Sequence, residues 1–349
     1  MKVVTNKIYI KKEEITEITL TNDNKMSVTA LNLGGIITKI IVPDCNGNFE
    51  NIALEYDNYS NYIKDPAYMG AIIGRTSGRI HNAKFEIDGE TYNLAQNNND
   101  NNLHGGEFGF TSKVWDVTTF EYSDKVVIVF EYTSLDGEEG YGGTVTIKIT
   151  YTLTNDNALK ISYNGTTDKT TLLNLTNHTY FNLSGEYKSD VLGNTLIIDA
   201  DTIAEVDAQA IPTGNIIQVN DVPALDFTTN KLIGRHISNE YLWTARGYDH
   251  PYILNKKEDF DVVCSDIISG RVMTMKTNYD AVIVYSANFP TYHNLKGGVE
   301  FNPRYGICFE AQNLPIGYNE CNKERSLLRP NEKYDYWVEY KFYTISIDS

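Results

Sequence analysis

The chain has 349 residues, 41% hydrophobic and 22% charged, the balance of a soluble globular protein with a sizeable core and room for one large β domain or two ordinary ones. Thirty Lys and Arg stand against 46 Asp and Glu, a net charge of −16, which repels phosphate backbones and anionic lipid and argues against nucleic-acid or membrane partners. No run approaches the roughly 18 apolar residues of a membrane span, and the opening Met1-Lys2-Val3-Val4 leads into no signal-peptide core, so the cytoplasm is expected.

Strand patterns run nearly end to end. Residues 85–87 and 92–94 alternate around Asp88-Gly89, the sequence of a tight hairpin. Residues 96–102 are the most polar stretch and read as a loop between Leu94 and Leu103. Strands are expected at 126–132 and 144–153, the latter pairing with 158–163 across Asn155-Asp156-Asn157. The pattern returns at 334–347 around Trp337, Tyr340 and Phe342. Residues 231–243 are the best short-helix candidate. The 25 Tyr and 13 Phe suit strands, and their flat faces also suit sugar rings. No repeat or linker divides the chain, so a single all-β domain of large stacked antiparallel sheets, spanning 1–349, is expected.

Five segments carry residues capable of chemistry. Gly74-Arg75-Thr76-Ser77-Gly78-Arg79 sets two Gly-Arg pairs four apart. Arginine offers a fork of donors to hydroxyls, although a turn with surface arginines would read the same way. His104 follows Asn102-Leu103 and precedes two glycines at the end of the polar loop. Residues 177–183 crowd Asn177, His178, Thr179 and Asn182 into a short stretch, as a strand lining a polar cleft would, and histidine trades protons near neutral pH. Asp249, before His250-Pro251, could accept bonds from a pair of hydroxyls or could serve a turn. Glu310 shares a strand face with Cys308 and Gln312, and a glutamate buried there would have the raised pKa that suits a general base.

Cys45, Cys264, Cys308 and Cys321 form no C-x-x-C and no zinc spacing with histidine. Neither a P-loop, a dinucleotide fingerprint nor a serine-hydrolase elbow is present. No metal and no cofactor are therefore expected. What remains is acid–base chemistry on a neutral, hydroxyl-rich substrate.

Taken in order, GRTSGRI (74–80), NLHGG (102–106), DGEEGYGG (136–143), NLTNHTYFNLSG (174–185), IPTG (211–214), GYDH (247–250) and FEAQNLP (309–315) resemble the aldose 1-epimerase, or galactose mutarotase, family from about Leu31 to Phe342. The resemblance implies a β-supersandwich and interconversion of the α and β anomers of a free aldose. By position it implies Glu310 as general base and His178 as general acid, with His104, Arg79 and Asp249 holding the sugar. The family's T-x-x-P-G-x-Q-x-Y segment departs here, in residues 277–285. Tyr279 is read as standing where the Gln would, lining the sugar site and leaving the protein active on both D-glucose and D-galactose. The rival readings are a silent carbohydrate-binding protein on the same fold, a glycoside hydrolase and a hexose-phosphate epimerase. The second would want two flanking carboxylates, the third a basic cluster.

Overall fold

A computed structural model describes residues 1–346. Among them three antiparallel sheets, of five, nine and six strands, make up most of the architecture. The five-stranded sheet is a meander built from residues 2–51. The nine-stranded sheet runs, in spatial order, Asp116–Glu121, Lys125–Ser134, Val145–Thr154, Ala158–Thr167, Tyr334–Thr344, Arg271–Thr277, Val262–Asp266, Thr195–Ile198 and Lys231–Leu232. The six-stranded sheet runs Tyr180–Phe181, Ile307–Gln312, Ala281–Tyr285, Asp249–Ile253, Thr202–Val206 and Pro212–Gln218.

Period-2 alternation sets which face is inside. In Val145–Thr154 the residues Val145, Ile147, Ile149, Tyr151 and Leu153 are all buried, while Thr146 and Lys148 are exposed. One apolar cluster draws on all three large sheets, with Val28, Ile149 and Phe309 among its members. Stacked sheets bury side chains between them at roughly 10 Å separation, which suits this aromatic-rich composition.

The expected strands at 126–132, 144–153 and 158–163 appear as Lys125–Ser134, Val145–Thr154 and Ala158–Thr167, and the last two pair antiparallel. The hairpin at Asp88-Gly89 also forms, joining Lys84–Ile87 to Glu90–Asn93. Both turn residues take positive φ, 54° and 80°, the geometry that a two-residue turn matched to strand twist requires. The last strand is Tyr334–Thr344; the expected end at Ile347 lies outside the described residues.

The helix expected at 231–243 does not form. Lys231–Leu232 is an edge strand, followed by separate 3₁₀ turns at Ile233–His236 and Glu240–Leu242. Asn239 is extended, and its side chain accepts a bond from the Tyr241 N–H. It caps a new turn where a continuous helix would have to pass through. Every helical segment among the described residues is a 3₁₀ turn of three or four residues.

Candidate active site

The central strands of the six-stranded sheet are buried on both faces. Ile307, Phe309 and Ala311, with Val282 and Val284 beside them, join the apolar cluster. The alternate residues form the floor of a cavity of about 640 Å³, within the ~300–1,000 Å³ typical of small-molecule sites. Strand register sets these residues in two rows. Pro251, Ile283 and Glu310 lie side by side in one, and Asp249 and Tyr285 in the other, which the fully buried Cys308 continues beyond the cavity lining.

Glu310 and His178 meet on this floor. His178 Nε2 lies 3.4 Å from Glu310 Oε1, and both side chains are almost wholly buried. The His178 backbone is pinned on both sides: its N–H donates to Ala71 O, and its carbonyl accepts from Gly70 N–H. The rest of the polar segment does other work. Asn174 exchanges two bonds with the Asn313 backbone, Asn177 donates to Gly70 O, and Asn182 donates to Ser189 O and Tyr305 O. These asparagines are structural clamps, and His178 alone among the segment's Asn, His and Thr side chains reaches the cavity.

His104 comes from the loop opposite. Its N–H donates to Gly78 O, and its Nδ1 accepts from the Gly78 N–H at 3.2 Å. Glycine is required on both sides of this contact. Gly105 has φ of 85°, and a Cβ there would stand 2.0 Å from Gly74 O; at Gly78, with φ of 71°, a Cβ would meet Pro315 at 2.6 Å. The His104 and His178 rings are edge-on, with centroids 5.5 Å apart, and Tyr68 covers His104 at 4.7 Å.

Arg79 reaches the cavity with Nε on Asn98 Oδ1 at 3.0 Å and Nη1 4.0 Å from Asp249 Oδ2. Arg75 does not. It is buried elsewhere and donates to Ser134 Oγ and to the carbonyls of Ser134, Leu135 and Gly142. The structure thus brings His104, His178, Arg79, Asp249 and Glu310 around one cavity.

Tyr279 is the exception and a correction. It is fully buried away from the cavity, stacked on Tyr336, with its hydroxyl donating to Leu175 O at 2.7 Å. Tyr334 accepts from the Leu175 N–H, so the two tyrosines satisfy both backbone groups of a buried residue three before His178. Counted from Thr277 to Tyr285, the family's Gln falls on Ile283, which lines the cavity beside Glu310. Tyr68, Tyr180, Tyr285 and Phe289 also line it and were not anticipated. Tyr285 could have been found by alternation with Ile283, while Tyr68 sits in an irregular loop that gives no periodic signal.

Burial governs the electrostatics. It pushes the Glu310 carboxyl well above the usual range, Asp249 adds to that rise, and Arg79 opposes it. It pushes His178 down to about 4. His104 falls well below its ordinary value by burial, with His178 and Arg79 adding to the fall. Asp249 is raised by burial against Arg79. One donor atom each from His104, His178 and Glu310 lie within 4.8 Å of one another, a His₂-carboxylate set of the kind that transition metals accept. The Gly78 N–H on Nδ1, however, leaves the proton of neutral His104 on Nε2. That ring therefore offers a donor rather than a lone pair, which suits a hydroxyl better than a metal ion.

Residues 16–341 match the sequence profile of the family described as Aldose 1-epimerase. The chain belongs to the aldose 1-epimerase family. Over 331 residues it is 35% identical to an aldose 1-epimerase of Haemophilus influenzae, covering 93% of this chain and 95% of that one. It is 34% identical over 321 residues to human galactose mutarotase, covering 91% of each. Its fold is similar to that of a galactose 1-epimerase from Lactobacillus acidophilus, with a TM-score of 0.88, 29% identity and 99% of both chains covered. By this membership the chain is an isomerase, built on the same antiparallel supersandwich as its structural neighbours. No helix among the described residues is long and apolar enough to cross a membrane.

Proposed function

We propose that this chain interconverts the α and β anomers of a free aldohexose, with Glu310 as base and His178 as acid. The observation that carries the reading is the buried pair itself, two proton-trading groups 3.4 Å apart on the floor of a sugar-sized cavity. Burial disfavours both charged forms, so the free pair holds a single proton on the carboxyl. Hydroxyls of a bound sugar donate to Glu310 and favour the alternative, carboxylate and imidazolium. From that state Glu310 takes the proton of the C1 hydroxyl as the C1–O5 bond breaks, and His178 gives its Nε2 proton to O5. Rotation about C1–C2 and the reverse transfers close the ring on its other face. Each group acts as acid in one direction and base in the other, and such steps supply ~10²–10⁴-fold each.

In this reading His104, Arg79 and Asp249 hold the sugar hydroxyls. His104 is locked as a donor, while Asp249 accepts and stays oriented by Arg79. The chain works as one β domain in the cytoplasm on a neutral sugar, without nucleic acid, membrane or cofactor. The shared apolar cluster and the charge of −16 support this. Polarimetry on freshly dissolved α-D-galactose, α-D-glucose and their 6-phosphates tests the proposal. Acceleration on the free sugars is expected. A protein that accelerates none of them, or only the phosphates, overturns it.

A further inference from the structure

The catalytic reading leaves one neighbour of His178 unused. Cys308 lies one strand away, paired in register with Tyr180. Its Sγ is 3.5 Å from His178 Nδ1 and is fully buried. We propose that Cys308 is a positioning residue whose sulfur accepts the Nδ1–H of His178, so that Nε2 is the only ring nitrogen that gains and loses a proton. This inference rests on the acid role proposed for His178.

The argument follows the proton. An imidazolium that gives up its Nε2 proton must keep the one on Nδ1, and that N–H points at sulfur in this site. When the carboxyl of Glu310 holds the shared proton, it donates to Nε2, and the ring again needs Nδ1–H. One tautomer therefore serves both ends of the cycle. The thiol stays protonated and neutral, because burial, Glu310 and Asp249 all push its pKa up. A neutral, soft sulfur is a weak acceptor. It fixes the tautomer without stabilising the imidazolium as a carboxylate at that place would, so the imidazolium remains a willing donor. The other groups that face the ring are Glu310 at Nε2, the His104 ring, and the phenols Tyr68, Tyr180 and Tyr285. Asp249 and Arg79 act on it through Glu310 and His104.

The test has a readout that needs no sugar. Two-bond ¹H–¹⁵N correlation spectra of the free protein should show neutral His178 protonated on Nδ1. Cys308→Ser should keep that tautomer, and Cys308→Ala should shift it toward Nε2–H. In the same variants, Cys308→Ala should lower kcat by roughly three- to tenfold at unchanged KM, the worth of one weak hydrogen bond. Cys308→Asp should move both limbs of the pH–rate profile to higher pH. An Nε2–H tautomer in the wild-type protein overturns the proposal, as does an Ala variant with an unaltered tautomer or an Asp variant with an unaltered pH profile. If Cys308→Ala or Cys308→Asp fails to fold, the wild-type and Ser spectra decide it. A protein with the Nδ1–H tautomer and no mutarotation would refute the catalytic reading and leave the sulfur contact standing.

Discussion

Arg75 and Glu310 are both buried ionisable residues in polar surroundings, and they differ in what completes them. Around Arg75 the protein supplies every partner: three carbonyls and the hydroxyls of Ser134 and Thr171 take its donors. On the cavity floor Glu310 has a single polar neighbour within ion-pair distance, His178. The same contrast separates Asn177, fully engaged with protein groups, from His178 next to it in sequence. A buried polar group costs stability unless it is hydrogen-bonded. Where the fold supplies the partners, the group is structural. Where it leaves them out, the remaining valence is available to a ligand.

The largest effect on activity that could break this comparison is at Glu310. Glu310→Gln should keep the fold and sugar binding and lose about 10²-fold or more in kcat, some 2.7 kcal/mol of transition-state stabilisation. It should also be the more stable protein near neutral pH. The folded carboxyl has a raised pKa, against about 4.3 in an unfolded chain. The folded state therefore binds its proton more tightly, and stability is lost as pH rises from the unfolded value through the folded one. Melting curves should show the Gln variant gaining on wild type at pH 7 and not at pH 4. A Gln variant with near-normal mutarotation would remove Glu310 from the chemistry.

Arg75 should respond the opposite way. Arg75→Met leaves the Ser134, Leu135 and Gly142 carbonyls without their donor, at a cost of about 3 kcal/mol. Urea denaturation should show that loss, while kcat/KM of the remaining folded protein stays within a few-fold of wild type. A stable Arg75→Met protein with lost activity would place Arg75 in the site and dissolve the contrast.

A smaller effect is expected where the ligand supplies only part of the bonding. With Asp249 as the proposed acceptor for sugar hydroxyls, Asp249→Ala should raise KM by about tenfold, near 1.4 kcal/mol. It should also narrow the preference for the parent sugar over a deoxy analogue that lacks the contacted hydroxyl. An unchanged preference would show that Asp249 only steadies Arg79.

Tyr279 gives the smallest effect and the sharpest test of the correction. Tyr279→Phe should cost about 1 kcal/mol through the lost bond to Leu175 O and leave KM for galactose and glucose unaltered. A changed ratio between the two sugars would return Tyr279 to the pocket.

Most of the architecture is legible in the sequence. Alternation and turn residues mark the hairpin at Asp88-Gly89 and the paired strands through 145–167, because a strand half-buried in a sandwich must show period 2. The helix expected at 231–243 failed because an Asn cap restarts the chain there, a local signal that periodicity averages away. The short motifs likewise singled out His104, His178, Asp249 and Glu310, which the fold gathers around one cavity.

What composition and alternation alone established is a large, acidic β protein; its motifs added a handful of candidates for proton transfer and hydroxyl binding. Only the tertiary structure decided which of them share a cavity. Strand register sets Ile283, and not Tyr279, beside Glu310, and the pairing of Arg79 with Leu103 holds Arg79 at the cavity while Arg75 stays in the core. Both depend on contacts between residues far apart in the chain. A Gly-Arg pair or a tyrosine looks the same in sequence whether the fold surrounds it with partners or leaves it facing a cavity.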